Sequence, residues 1–439
     1  MKAPPVSGTA PSHGRAMTAL GVLFLIGVVN YVDRATMSIL QVPVKAELGF
    51  SDTRLGALTG IAFFIPYLLL SIPVARLADI WNRRLILLFA LILWSGMTAL
   101  LGATSDFTMM VILRMGVAIG EACCLPTAYS MISDLFRPQQ RGRAVAIFGM
   151  SYPVGSMVGL TSIGVMGAAF GWRATFVIVG CIGFALIPLI LFFLPEPERG
   201  GADAVANREP APPIGAALAA IWRIRSFRYA VLGLGMQSLT GYAVVIWSAP
   251  YYARAFDLNL AEVGVMLGLM LGVAGGASVF LGGYLADRLG RIRGAWYMWV
   301  CAIGSLLFLP ASLLQFWTPS LPVSLAAGFV SALFSAVYLA PVNAVAQSLV
   351  APRLRALIAG VITTVSAIAG GSLGPLLVGT LSDHGLASNG GDGAAALRFA
   401  MLVTVTLALL AVAAFLWAAR HVDRDMQALV RQARGEAGE

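Results

Sequence analysis

Apolar residues run through this chain in long blocks, broken by compact polar clusters. The blocks fall near residues 17–40, 54–77, 85–105, 107–131, 142–167 and 172–194, then near 229–252, 260–285, 294–315, 321–347, 356–382 and 394–419. Each is roughly 20 residues or longer, enough to cross a hydrocarbon layer as a helix. Backbone amides in lipid must be paired within their own segment, which predicts helices. A barrel would need short strands of alternating polarity, and these runs are too long and too continuously apolar for that. The pattern predicts an all-α membrane protein with twelve transmembrane helices in two sets of six.

Composition agrees with that reading. Of 439 residues, 59% are apolar and 11% charged, whereas a soluble domain carries about 25% charged residues. The net charge of +9 does not point to nucleic acid, because the basic residues sit in short loops between apolar blocks, where they act as topology signals. With both termini and the central connection in the cytoplasm, 22 of the 29 Lys and Arg residues fall on that side, five fall outside and two lie within spans. This predicts a multi-pass protein of the plasma (inner) membrane with cytoplasmic termini. Residues 1–16 form a cytoplasmic tail without an apolar core or cleavage pattern, so the first span is expected to be retained. Residues 17–194 form one bundle, 195–228 a linker, 229–419 a second bundle and 420–439 a cytoplasmic tail. Late in the linker, Ile221, Trp222, Ile224 and Phe227 alternate with Arg223, Arg225 and Arg228, which predicts a short helix along the membrane surface. Cys123, Cys124, Cys181 and Cys301 lie in apolar spans without metal-ligand spacing and are expected to be buried, reduced thiols. No cofactor and no metal are expected.

The two halves repeat. "LADIWNRR" (77–84) follows the second span and "GGYLADRLGRIR" (282–293) follows the eighth, with Asp79 and Asp287 208 residues apart. "RPQQRGRA" (137–144) and "APRLRALI" (351–358) each join a fourth to a fifth span of their half. Parallel repeats mark transporters built from two similar bundles. The second of these loops resembles the signature of the major facilitator superfamily, matched here by Gly283, Asp287, Arg288, Gly290 and Arg291. The first copy keeps Asp79, Arg83 and Arg84, with Ala75 and Asn82 where glycines are expected. The resemblance covers nearly the whole chain. It implies two pseudo-symmetric six-helix bundles around a cavity that opens alternately to either side, with the motif residues as a cytoplasmic gate.

Only Asp33, Arg34, Arg114 and Glu121 among the ionisable residues lie deep in spans, all in the first half. A charge at such depth is costly and marks function. Arg114 and Glu121 are seven residues apart, on one helix face. Asn30, Asp33, Arg34, Ser38 and Gln41 follow helical spacing as a polar stripe. Counting about 1.5 Å per residue from the outer helix ends sets Asp33 and Arg114 at one level, so an Asp33–Arg114 pair is expected, with Arg34 and Glu121 completing the cluster. The acids can titrate and the arginines effectively cannot. A proton on Asp33 or Glu121 would free an arginine for a carboxylate or phosphate, linking protons to an anionic substrate.

With "NYVDR" on the first span, the fourth-span sequence "RMGVAIGEACCLPTAYSMISDLF" (114–136) resembles the spinster-like branch of the superfamily. That resemblance implies export of lysolipids or sphingoid phosphates. "NYVDR", the Arg–Glu spacing and "GWRATF" (171–176) also resemble the organic anion:proton symporters, so a small organic anion is the second reading. The second half offers Gln237, Tyr242, Trp247, Tyr338, Asn343 and Gln347 as uncharged cavity candidates. An ionic pocket facing an aromatic one suits an amphiphile. Glycines 149, 155 and 159 near Pro153, and glycines 370, 371 and 374 beside Pro375, predict close helix contact, part of it between bundles. The only lysines, Lys2 and Lys45, do not follow glycine, so no phosphate-binding loop exists for an ATP-driven pump. The chain is expected to be a monomeric, proton-coupled secondary transporter and not an enzyme. Its expected partners are the bilayer, protons and a lipid or small-molecule substrate.

Overall fold

The computed structural model describes residues 13–197, 214–350, 354–388 and 390–433, and no strand occurs among them. The tail up to residue 12, linker residues 198–213 and the last six residues lie outside the described residues.

Eleven helical runs are long and apolar enough to cross a membrane. One of them, Pro138–Phe193, holds 56 residues and two crossings. The chain turns at Gly171, whose φ of 77° and ψ of 166° lie outside helical space and suit a residue without a side chain. Twelve crossings result. The first span is His13–Leu48; the second is Asp52–Thr59 continued by Ile61–Ile80; the third is Arg83–Leu101. The fourth joins Phe107–Glu121 to Cys124–Leu135, the fifth runs from Pro138–Gly149 through Ser151 to the turn, and the sixth continues to Ala185 and through Ile187–Phe193. In the second half come Arg225–Ala255, Leu260–Gly290, Ala295–Trp317, the pair Leu321–Ser335 and Leu339–Ser348, Arg355–Ser388, and Gly393–Thr406 with Ala408–Ala433. A short helix, Ile214–Trp222, precedes the seventh span; it holds Ile221 and Trp222 of the expected surface helix, whereas Arg225, Phe227 and Arg228 belong to the first turn of the seventh span itself.

The polar clusters between apolar blocks supply the helix starts. Ser51, Asn82, Asp106 and Asp392 each accept a backbone N–H of the first turn they precede, and Asn259 forms a reciprocal capping box with Glu262. The first span runs eight residues past its expected end, through Pro43 to Leu48. All four cysteines are free, but only Cys124 and Cys301 are buried as expected; Cys123 is half-buried and Cys181 exposed. A lipid-facing thiol meets no penalty from hydrocarbon, so apolar sequence context alone did not decide its burial.

An even number of crossings puts the start of the first span, the end of the sixth, the start of the seventh and the end of the twelfth on one face, here called the terminal face. The other is the distal face. Among the described residues, the hydrogen bonds and ion pairs that join the bundles gather toward the distal face. Asp52, at the start of the second span, accepts from both terminal nitrogens of Arg254 at 2.7 and 2.8 Å, from Ser382 Oγ at 2.7 Å and from Lys45 Nζ at 2.6 Å. The backbone N–H groups of Asp52 and Thr53 donate to Asp383 at 3.0 and 2.8 Å. Deeper in, the Gln41 amide donates to the Ile246 carbonyl.

The helices beneath this lock approach without side chains between them. A Cβ on Gly56 or Gly60 would strike the backbone of Pro375 or Ser372, and Gly164 and Gly264 face each other so closely that a Cβ on either would meet the other's Cα at 2.8 Å. Gly371 receives the Phe64 ring from the opposite bundle. Other expected contact glycines act differently: Gly155 and Gly159 seat the fifth span on the first, within one bundle, and Gly370 and Gly374 seat the eleventh on the seventh. Gly149 meets nothing within 4 Å.

Candidate functional site

The buried charges come together where the first span crosses the fourth. Asp33 Oδ2 accepts the Thr98 hydroxyl from the third span at 2.5 Å, and Asp33 Oδ1 lies 3.9 Å from Arg114 Nη1. The second distance is an ion pair without a hydrogen bond. Arg34, the next residue, points a different way and donates its Nε–H to Glu121 Oε2 at 2.6 Å. The four residues thus form two crossed acid–base pairs. The expected Asp33–Arg114 pair is present, and the Arg34–Glu121 pair is the tighter one. Asp33, Arg114 and Glu121 are buried, while the Arg34 side chain keeps 21% exposure toward the cavity.

Aromatic rings hold the guanidinium groups. Arg34 lies 4.7 Å from the Tyr67 ring centroid, 5.1 Å from Phe63 and 5.3 Å from Tyr31; Arg114 lies 4.4 Å from the other partner it shares, Phe63. Such contacts stabilise a cation out of water without neutralising it. Several buried polar atoms here find no protein hydrogen-bond partner: Arg34 Nη2, Arg114 Nε and Nη1, Asp33 Oδ1, Glu121 Oε1 and both amide atoms of Asn30. Unpaired buried groups are rare in folded proteins, so these atoms call for a partner such as water, an ion or a ligand.

Arg34 and Arg114 line a cavity of about 140 Å³ between the bundles. The first half also contributes Tyr31, Phe63, Phe64 and Tyr152, and the second half Tyr242, Ile246, Leu271 and Ser335. All the charge is therefore on one wall. The aromatic residues mostly stand on that same wall, contrary to the expectation of an aromatic wall opposite the charge. Of the second-half candidates only Tyr242 lines the cavity. Trp247 is fully buried and donates its indole N–H to the Pro375 carbonyl at 3.0 Å, tying the seventh span to the eleventh. Tyr338 is buried and shares a 2.8 Å hydrogen bond with Ser238. Asn343 bonds back to Leu339 in its own helix. Gln237 is buried with its amide unpaired, and Gln347 is half-buried away from the cavity. A polar residue on an apolar span can face a neighbouring helix as readily as a cavity, and helix rotation decides which. Phe63, Phe64 and Tyr67 are not legible as site residues in the sequence, because an aromatic run in an apolar block carries no polar signal.

The loop motifs act within bundles. Arg83 is buried, pairing with Asp134 and with Glu196 at 2.8 Å and donating to the Pro197 carbonyl at 2.6 Å; it ties the third, fourth and sixth spans together. Arg84 donates its backbone N–H to Glu196 and its side chain to the Leu191 carbonyl. Asp287 accepts from Tyr297 at 3.3 Å, and Arg288 donates to Tyr284. Gly290 leaves room for the Tyr297 ring, which a Cβ would strike; Gly283 meets only an ordinary contact, and Arg291 is exposed. The side chain of Asp79 lies outside the described residues.

The Major Facilitator Superfamily description matches residues 23–375. A crystal structure of a bacterial homologue of the human lysosomal transporter Spinster, in an inward-facing and unoccupied conformation, superposes with a TM-score of 0.85 at 27% identity, covering 94% of this chain and 99% of that one. The chain belongs to the major facilitator superfamily, in its spinster-like branch. An MFS-type efflux pump of Mycolicibacterium smegmatis is 34% identical over 425 residues, 95% of this chain and 96% of the relative. A probable L-galactonate transporter of Escherichia coli is 29% identical over 281 residues, 62% of either chain. The two crossed ion pairs therefore present their arginines to the inter-bundle cavity of a membrane transporter, with Asp33 and Glu121 buried behind them, on the half that carries "NYVDR".

Proposed function

We propose that this transporter is a proton-coupled carrier of an amphiphilic anion, such as a lysophospholipid or sphingoid phosphate, working by alternating access. The observation that carries the reading is the cavity wall: a buried guanidinium group, Arg114, and a half-buried one, Arg34, each held by an aromatic ring and each with unpaired N–H donors. Those donors match a carboxylate or phosphate. The facing wall of Tyr242, Ile246 and Leu271 holds no charge and suits an apolar body. Asp33 and Glu121 are the proton-accepting groups, because each already holds one of the arginines. Protonation releases the arginine to the substrate anion, and substrate release returns it to the carboxylate.

Orientation and direction rest on other features, which support cytoplasmic termini and export. Twenty-two of 29 basic residues on the terminal face support cytoplasmic termini in a plasma membrane. The distal lock then closes the outside, which is the inward-facing state. The full-length likeness to an efflux pump supports export. One chain carries both bundles and the cavity, so a monomer suffices. The runner-up is a small organic anion:proton symporter, supported by the likeness to the L-galactonate transporter.

Thermal stabilisation of the protein in nanodiscs tests the substrate class. One panel holds lysophospholipids and sphingoid phosphates, the other small organic acids. A ligand that binds the folded state raises the melting temperature. A rise with the lipid panel, lost in Arg34→Ala, is expected. A rise with small acids alone would transfer the same arginines to the second reading. A lipid-panel shift unchanged in Arg34→Ala would remove Arg34 from the site.

A further inference from the structure

A second cavity lies far from the charge cluster, on the outside of the second bundle. The start of the ninth span and the end of the twelfth enclose about 530 Å³ at the terminal face. Arg293, Arg420 and Arg424 line it, with Asp423, Trp296 and Trp299.

The charge there is unbalanced. Asp423 is already engaged: its Oδ1 accepts the Ala295 backbone N–H at 2.9 Å, and its Oδ2 lies 3.3 Å from Arg293. Among the described residues neither Arg420 nor Arg424 has a carboxylate within ion-pair distance. The Arg420 guanidinium instead lies 4.9 Å from the Trp417 ring. Three arginines thus face one committed aspartate. Topology signalling accounts for basic residues at this face, but not for a cavity of this size with two indoles in its wall.

The surface leading out of the cavity is apolar. Trp299, Ile303 and Leu306 are exposed at helical spacing along the ninth span, so they face the hydrocarbon. A ligand here would have a negative head at the arginines, an interfacial zone beside the tryptophans and an apolar tail along that stripe. Tryptophan rings settle at this depth in membranes, and basic pockets between spans hold anionic head groups.

We propose that this groove is a binding site for an anionic phospholipid of the leaflet at the terminal face, with its phosphate on Arg420 and Arg424. The lipid would brace the twelfth span against the ninth from outside. It is a bound membrane component, separate from the transported species, and does not depend on what the central cavity carries.

Native mass spectrometry of the full-length protein, released from nanodiscs containing phosphatidylglycerol and phosphatidylcholine, tests this. Wild type should retain phosphatidylglycerol in preference to phosphatidylcholine. Retention should fall by roughly tenfold or more in R420Q/R424Q, with an unchanged melting temperature in pure phosphatidylcholine. Undiminished retention in that variant overturns the proposal, as does equal retention of the two lipids by wild type. Should the variant fail to fold, a salt series on wild type decides: phosphatidylglycerol retention must fall as salt rises. Protection by inorganic phosphate alone, equal to that by phosphatidylglycerol, would overturn the lipid assignment and leave an anion site.

Discussion

Asp33 and Arg34 are adjacent in sequence yet belong to different pairs. Successive helical residues point about 100° apart, so one reaches Arg114 and Thr98 while the other reaches Glu121 and the cavity. Neutralising Asp33 removes the counter-ion of Arg114 but leaves Arg34 paired. Asp33→Asn should therefore still exchange substrate across the membrane but lose gradient-driven accumulation, read in proteoliposomes with and without a pH gradient. Full accumulation by that variant would exclude Asp33 as a coupling residue. The 2.5 Å bond from Thr98 should also matter, since a hydrogen bond to a charged group contributes about 1.5–3 kcal/mol. Thr98→Val should reduce gradient-driven uptake while Thr98→Ser preserves it; equal rates in both would show that the hydroxyl is dispensable.

At the scale of elements, four of the helices that meet across the bundle seam are irregular. The second span breaks at Gly60 and the fifth at Met150, and the eighth and eleventh carry π-helical turns at Met270–Gly275 and Ser366–Leu373. Such turns loosen a helix where it must bend or rotate. Leu271 and Gly275, within one of them, line the cavity. The distal seam itself needs backbone contact between the fifth and eighth spans. Gly264→Leu would drive a side chain into the Leu160 carbonyl and the Gly164 backbone, and neither can move aside cheaply. The distal ends should separate, seen as a longer spin-label distance between these two spans. An unchanged distance would show that the closed face does not depend on that approach.

For the whole molecule, two carboxylates, Asp52 and Asp383, bridge the bundles at the distal face. Asp52 gathers Lys45 from its own bundle with Arg254 and Ser382 from the other, while Asp383 caps its helix across the same boundary. Asp52→Ala would leave the half-buried Arg254 without its carboxylate. A loss of about 2 kcal/mol from the closed state shifts the open-to-closed ratio by roughly 30-fold. Single-molecule distance measurements should find the distal face open more often in Asp52→Ala and in Arg254→Ala. A closed-state population equal to wild type would mean that the glycine seam alone keeps that face shut. The cytoplasmic gate motif, by contrast, is turned inward on each bundle, with Arg83 on Asp134 and Glu196 and Asp287 on Tyr297.

The sequence by itself determined the twelve spans, the two-fold repeat and the four residues of the charge cluster. Lipid makes each of these legible one position at a time: an apolar run of given length must cross, and a charge within it stands out by its cost. Even the Asp33–Arg114 pair could be read, because helical rise fixes depth. Tertiary structure decided the rest. Trp247 and Tyr338 lie behind the cavity and Phe63 and Tyr67 beside it because of how each helix is turned about its axis, which an almost uniformly apolar span does not encode. The lock between Asp52 and Asp383 joins residues 331 apart. Its partners are ordinary loop charges in the sequence, and only the packing of one bundle against the other brings them into contact and closes the distal face.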